Sequence, residues 1–208
     1  MEHRVIVVGI GPGNPDFVLP AALHAIRSAK VLVGGSRALA DFAVEGQCTM
    51  TIRGDIPAVL SFIDEKLREQ DVVVMVSGDP GYFSLLDALR RSYDEEILQV
   101  IPGISSVQFA FARLALPWHD ASFLSFHGRR PSDEDLSYTP GRVLGIITDK
   151  AYSSWTIPKL LMELGWPKEA KTAICARLSY DDERIVRTTL GGAVSEREET
   201  HCVVVVIG

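Results

Sequence analysis

Three short loops carry the residues most able to meet a ligand, and each follows an apolar run. The first is Gly9-Ile10-Gly11-Pro12-Gly13-Asn14-Pro15, directly behind Val5-Ile6-Val7-Val8. Its glycines permit a tight turn and let a ligand come close to main-chain atoms. A dinucleotide-binding loop would read GxGxxG; this one reads GxGPG, and Pro12 removes an amide donor where a pyrophosphate would need one. The acidic residue that such a fingerprint requires about 20 residues further on is also missing, since Val33-Gly34-Gly35-Ser36 stands there. A nicotinamide site is disfavoured, and the loop reads either as a ligand-facing turn or as a plain strand-to-helix connection.

The second loop, Ser77-Gly78-Asp79-Pro80-Gly81-Tyr82-Phe83, follows the most hydrophobic run of the chain, Val72-Val73-Val74-Met75-Val76. At the carboxyl end of a buried parallel strand such a loop opens where α/β folds bind ligands. The plainer alternative is an Asp-Pro-Gly turn in which Asp79 caps the next helix. The third, Ile101-Pro102-Gly103-Ile104-Ser105-Ser106, offers serine hydroxyls and free amides that serve either a ligand or a helix cap.

The elements that must hold these loops follow from hydrophobic period. Short β-branched runs alternate with stretches of helical spacing, the pattern of an α/β protein. In the first half, strands are expected at residues 4 to 8, 31 to 33, 72 to 76 and 97 to 101. Helices are expected at 19 to 29, 55 to 69, 82 to 91 and 104 to 114. Asp55 is a candidate N-cap, with Pro57 in the first turn. Unbroken Val/Ile runs suit strands covered on both faces, hence a mainly parallel sheet. At Leu116-Pro117-Trp118-His119 the proline breaks helical continuation. This predicts an N-terminal domain over 1–116 and a C-terminal domain over 117–208. The second half offers strands at 122 to 126, 143 to 147, 172 to 176, 185 to 190 and 202 to 207, with one helix from 153 to 164. It reads as a mixed, partly antiparallel sheet. Residues 129–142 are polar and rich in turn formers, and are expected as a loop.

Composition excludes several classes. The 208 residues are 47% hydrophobic and 23% charged, an ordinary globular mix. A net charge of -6 argues against nucleic acid and anionic lipid as partners. The longest apolar runs fall far short of the ~18 residues of a membrane span, and the amino terminus lacks the pattern of a signal peptide. A cytoplasmic protein is expected. Cys48, Cys175 and Cys202 are widely spaced without a CxxC pair, so reduced structural thiols are expected rather than disulfides or zinc ligands. His3, His24, His119 and His201 show no metal-ligand spacing, and no metal is expected. Trp118, Trp155 and Trp166 are expected to pack.

Taken together, GIGPGNPD, VSGDPGYFSLL and VIPGISSVQFAFARLALPW resemble, in order and spacing, the tetrapyrrole methylase family of S-adenosylmethionine-dependent methyltransferases. Leu124-Ser125-Phe126-His127-Gly128-Arg129, Ile147-Thr148-Asp149 and the Asp182-Glu183-Arg184 segment extend the resemblance over essentially the whole chain. They are most similar to the branch that methylates C5 of precorrin-7 or cobalt-precorrin-7 in cobalamin biosynthesis. The resemblance implies two α/β domains with the cofactor in the cleft between them, and a homodimer. Carried onto this sequence, it implies that Pro12, Gly78, Asp79, Tyr82, Ser105, Ser106, Thr148 and Leu178 contact S-adenosylmethionine, with S-adenosylhomocysteine as product. At Val18-Leu19-Pro20 the chain departs from the Leu-Thr pair common in the family.

Methyl transfer from a sulfonium to an electron-rich ring carbon is an in-line displacement that needs alignment and exclusion of water more than acid catalysis. No catalytic residue is assigned; a later proton loss would fall to His127 or to water. The acetate and propionate groups of such a substrate call for local cations, for which Arg37, Arg129 and Arg130 are candidates with His127 beside them. In the pathway implied, C5 methylation is paired with a decarboxylating methylation at C15. A single activity takes up 208 residues, so a separate C15-methyltransferase partner is expected. The alternatives are another branch of the family, acting at a different ring position or on a non-corrin substrate, and an inert cofactor-binding module.

Overall fold

The run Val72–Val76, buried along its whole length, forms the middle strand of a five-stranded sheet in the computed structural model, which describes residues 3–208. The strands of this sheet are β1 (Val5–Gly9), β2 (Val31–Gly34), β3 (Cys48–Thr51), β4 (Val72–Val76) and β5 (Leu98–Ile101), in the order β3-β2-β4-β1-β5. All pairs are parallel. Helices α1 (Pro20–Ser28), α2 (Ser36–Phe42), α3 (Ile56–Lys66) and α4 (Leu86–Ser92) connect them. Side-chain alternation sends Val5, Val7, Val33, Val72 and Val74 into one core with Val59 and Ile63 of α3 and Leu89 of α4. It sends Val8, Leu32, Val73 and Met75 into a second core with Ala22 and Ile26 of α1 and Ala38 of α2. Two covered faces explain why the strands read as unbroken apolar runs.

Local signals set most helix starts. Asp55 Oδ1 accepts the Ala58 amide at 3.0 Å, with a proline in the first turn of α3. Pro20 opens α1, where its missing N–H is no loss, which accounts for the departure from Leu-Thr. The expected helix 82–91 begins only at Leu86. Phe83 sits at φ +50 and Ser84 Oγ takes the Leu86 amide at 3.1 Å, so the chain spends the preceding residues on a turn. Sequence reasoning missed β3 and α2; β3 is an edge strand of four residues with two of them exposed, too short for a periodic signal.

The chain divides into compact units Met1–Ser105 and Ser106–Gly208. This places the break ahead of Leu116-Pro117, because helix α5 (Ser106–Leu114) packs on the second sheet. A Cβ added to Gly145 of that sheet would stand 2.9 Å from both Phe111 and Val107 of α5, so the glycine seats the helix. The second sheet contains β6 (Ala121–Ser125), β7 (Val143–Ile147), β8 (Lys171–Ala176), β9 (Arg184–Thr189) and β10 (Val203–Ile207), ordered β6-β7-β10-β8-β9. Only β6 and β7 run parallel, which is the mixed sheet expected. Residues 129–142 are not wholly a loop: α6 (Asp133–Leu136) forms there under a capping box from Ser132. Leu136 is fully buried and its carbonyl accepts the Trp166 indole N–H at 2.7 Å. Helices α7 (Thr156–Glu163) and α8 (Leu190–Ala193) complete the unit, with Ile157, Leu161 and Leu190 in its core. Trp166 is buried, whereas Trp118 is 46% exposed, its ring tilted at 40° to that of Phe123. No helix among the described residues is long and apolar enough to cross a membrane.

Candidate functional site

Parallel pairing of β1 with both β4 and β5 brings the three glycine loops out side by side at one end of the first sheet. They interlock through main chain. The Gly78 amide donates to the Gly11 carbonyl at 2.8 Å and the Gly11 amide donates back to Gly78 at 3.3 Å. A Cβ on Gly103 would lie 2.2 Å from the Gly78 carbonyl oxygen, and one on Gly9 would lie 2.6 Å from the same atom. Neither position can carry a side chain without moving backbone. Asp79 clamps two loops: Oδ1 accepts the Gly81 amide and Oδ2 the Gly103 amide, both at 2.9 Å. It is therefore a bridge and not the helix cap that one reading allowed, since α4 starts well downstream.

Within this framework Pro12 is half-buried between Gly11 at φ +71 and Gly13 at φ +151. Tyr82 lies half-buried with its ring edge-on to Phe83 at 4.8 Å, and burial pushes its hydroxyl's pKa up, so it stays neutral. Ser105 is buried and Ser106 begins α5. Arg37 is exposed at the start of α2, which follows β2 at this same end of the sheet.

The second sheet gathers its candidates in the same manner. The carboxyl ends of β6, β7 and β8 and the amino ends of β9 and β10 share one end, because β10 is antiparallel to β7 and β8. His127, Arg129, Thr148, Asp149, Leu178 and His201 all emerge there. Thr148 is buried; its hydroxyl donates to the Cys202 carbonyl at 3.0 Å and accepts the Cys202 amide at 2.8 Å. That hydroxyl is fully used in tying β7 to β10. Leu178 is buried between Arg177 at φ +54 and Ser179 at φ +70. The Ser179 amide donates to Glu183 at 2.7 Å, and Glu183 in turn pairs with Arg113 at 2.8 Å, anchoring this strained turn to α5. Arg129 and Arg130 are both exposed, and Arg130 is paired with Asp133 at the start of α6.

Two residues were not singled out for this site from sequence. Asp149 receives the amides of Tyr152 at 2.7 Å and Ala151 at 2.8 Å. Chiefly the Tyr152 amide, then those of Ala151 and Gly128 and the nearby His127, hold its carboxyl below the usual range. His201 sits at φ +53, its ring 6.5 Å from that of His127. A histidine just before a β-branched run was the only signal for it. Strained backbone at Arg177, Ser179 and His201 concentrates at this one end, the distribution expected of a functional surface.

The loops of the first sheet suit a methyl-donating sulfonium. Gly9–Asn14, Ser77–Phe83 and Pro102–Ser106 contain no Lys, Arg or His, so they set no cationic side chain against a sulfonium and offer it carbonyls and hydroxyls. Burial pushes Cys175 up to about 12 and Cys202 up to about 11, so neither is a nucleophile near neutral pH. Among the described residues no group of three His, Cys, Asp or Glu side chains is arranged to hold a metal.

Known proteins share this fold. The family model of Tetrapyrrole (Corrin/Porphyrin) Methylases matches residues 4–194. A cobalt-precorrin-7 C(5)-methyltransferase of Salmonella typhimurium is 35% identical over 179 residues, 86% of this chain and 87% of that protein. A decarboxylating precorrin-6Y C(5,15)-methyltransferase of Sinorhizobium sp is 29% identical over 171 residues, 81% of this chain and 41% of that longer protein. The crystal structure of a cobalamin biosynthesis precorrin-6Y methylase from Archaeoglobus fulgidus has a TM-score of 0.73 at 26% identity, covering 98% of this chain and 97% of that one. The matched stretch contains all three interlocked glycine loops and the ends of β6, β7 and β8, and this chain belongs to the tetrapyrrole methylase family.

Proposed function

We propose that this chain transfers a methyl group from S-adenosylmethionine to C5 of precorrin-7 or its cobalt-bearing counterpart, a step of cobalamin biosynthesis that leaves S-adenosylhomocysteine. The observation that carries the reading is the 35% identity to a C5 enzyme across 86% of the chain, on a fold whose glycine loops are built for a cationic ligand. The cofactor supplies an electrophilic methyl on a positively charged sulfur. The protein's part is geometric. Main-chain groups of the Gly78 and Gly103 loops, Pro12, Tyr82, Ser105 and Ser106 hold the donor; Asp79 fixes the distance between two of those loops. For Thr148 and Leu178, contact with the donor is proposed on the resemblance to the family. The interlocked loops would hold a bound donor in one orientation toward its acceptor and exclude water, which is where most of the rate enhancement of such a displacement arises. The acceptor's carboxylates are met by Arg37 and Arg129 and by His127, with Arg130 contributing when it leaves Asp133. His127 or a water removes the proton that completes the reaction.

Incubation of the purified protein with methyl-labelled S-adenosylmethionine and precorrin-7, with and without cobalt, tests this directly. Mass and NMR analysis should find one new methyl, at C5; a methyl elsewhere on the ring would overturn the assignment. The reading extends to a homodimer, to be checked by light scattering, and to a decarboxylating C15-methyltransferase as partner, for which the joint C(5,15) activity named for the Sinorhizobium protein is the support. A cytoplasmic location fits the exposed free thiol of Cys48.

A further inference from the structure

We infer that His201 is an acceptor-binding residue that works with His127, the two imidazoles taking one carboxylate of the tetrapyrrole between them. The inference rests on the reading of the acceptor as a polycarboxylate macrocycle. His127 follows β6 and His201 precedes β10, strands that flank β7 in the sheet, so residues 74 positions apart meet only through the strand order. Both are exposed, and their ring centroids stand 6.5 Å apart with planes at 60°. That separation is too wide for one ring to bond the other and narrow enough for a single carboxylate to accept from both, with charge-assisted N–H···O distances of about 2.8 Å.

The backbone on either side is held for this task. Cys202, next to His201, is locked to Thr148 through both its amide and its carbonyl. The His127 amide donates to Ser125 Oγ at 3.1 Å. His201 keeps a left-handed φ that non-glycine residues seldom adopt. Carboxylates of this chain close to the pair in sequence are already engaged: Glu198 takes the Ser153 hydroxyl, Glu199 pairs with Arg184 and Arg197, and Asp149 takes main-chain amides. Arg129 and Lys150 add positive charge on the ends of β6 and β7. The two exposed rings therefore stand available to an anion from outside the chain.

The test uses the full chain carrying His201→Gln, His127→Gln and both together, with two readouts. In methyl transfer to precorrin-7, each single variant should raise the acceptor KM about tenfold, a typical loss for one charge-assisted hydrogen bond, with kcat of His201→Gln within twofold and affinity for S-adenosylhomocysteine unchanged in both. The double variant should lose clearly less than the product of the two single losses, because both groups share one carboxylate. In direct titration, uroporphyrin III as a polycarboxylate probe should show the same ranking, and His201→Lys should recover part of the affinity. An unchanged acceptor KM in His201→Gln, beside an active wild-type protein, overturns the inference and leaves the proposed function standing. A wild-type protein that binds the probe with the predicted ranking but methylates no precorrin overturns the proposed function and leaves the histidine pair standing. No binding of any carboxylated tetrapyrrole by the wild-type protein overturns both.

Discussion

The functional ends of the two sheets are built by opposite means. At the first, glycine backbone packs on glycine backbone, and Asp79, whose side chain binds across two loops, is engaged by two amides. At the second, side chains carry the structure: Thr148 ties two strands, Glu183 anchors a strained turn, and Asp149 gathers amides under His127. The first end should fail when an atom is added, and the second when one is removed. The contrast matches the ligands proposed: a compact cation wants close carbonyls, whereas a large polyanion wants spaced donors and charges.

The largest effect is expected from Gly103→Ala. Its methyl would overlap the Gly78 carbonyl, so the loops must separate, at a cost of about 3 kcal/mol or more, and affinity for S-adenosylhomocysteine should be lost in calorimetry. Gly35→Ala, at the same end but with open space around it, should change neither; if both substitutions behave alike, close packing is not what defines this end. Asp79→Asn comes next. An amide can accept from only one of the two loop amides and must present a donor to the other, which costs about 1–3 kcal/mol and should weaken cofactor binding while leaving the fold intact by circular dichroism.

Thr148→Val probes the other end by removal. The Cys202 amide then lies buried without its acceptor, a loss of about 1–3 kcal/mol readable in urea melts, and Thr148→Ser should restore most of it. Should the two variants be equally stable, the tie between β7 and β10 is not what holds this end. The smallest effect is expected at Asp149. Its folded-state pKa lies below the ordinary value of 3.8, so it contributes stability above that pH and the contribution disappears as pH falls through the folded value. Asp149→Asn should therefore flatten the acid limb of a stability profile between about pH 5 and 2 and leave neutral-pH stability of wild-type and variant differing most; an unchanged acid limb would show that the carboxylate is not held by its amides.

Much of this was legible beforehand because it depends on local sequence. Val72–Val76 announces a strand covered on both faces, Asp55 and Pro57 announce the start of α3, and the three glycine loops announce themselves by following apolar runs. What stayed hidden depends on residues far apart. α5 looks like part of the first half until Phe111 and Val107 are seen seated on Gly145. Asp79 looks like a helix cap until Gly103 is found beside it. Arg130 looks like an unengaged cation until Asp133 is found beside it. The short elements β3 and α6 lack enough residues for a period, and their existence is decided by a neighbouring strand and by a capping box.

By itself, the sequence determined that the chain alternates strands and helices, where its glycine loops fall, and that those loops resemble the tetrapyrrole methylases, since each property is written in consecutive residues. The tertiary structure alone decided which loops touch and which side chains are already engaged. Strand order is set by burial over the whole sheet, and only the order β4-β1-β5 brings Gly78, Gly9 and Gly103 into contact, just as only β6-β7-β10 brings His127 to His201.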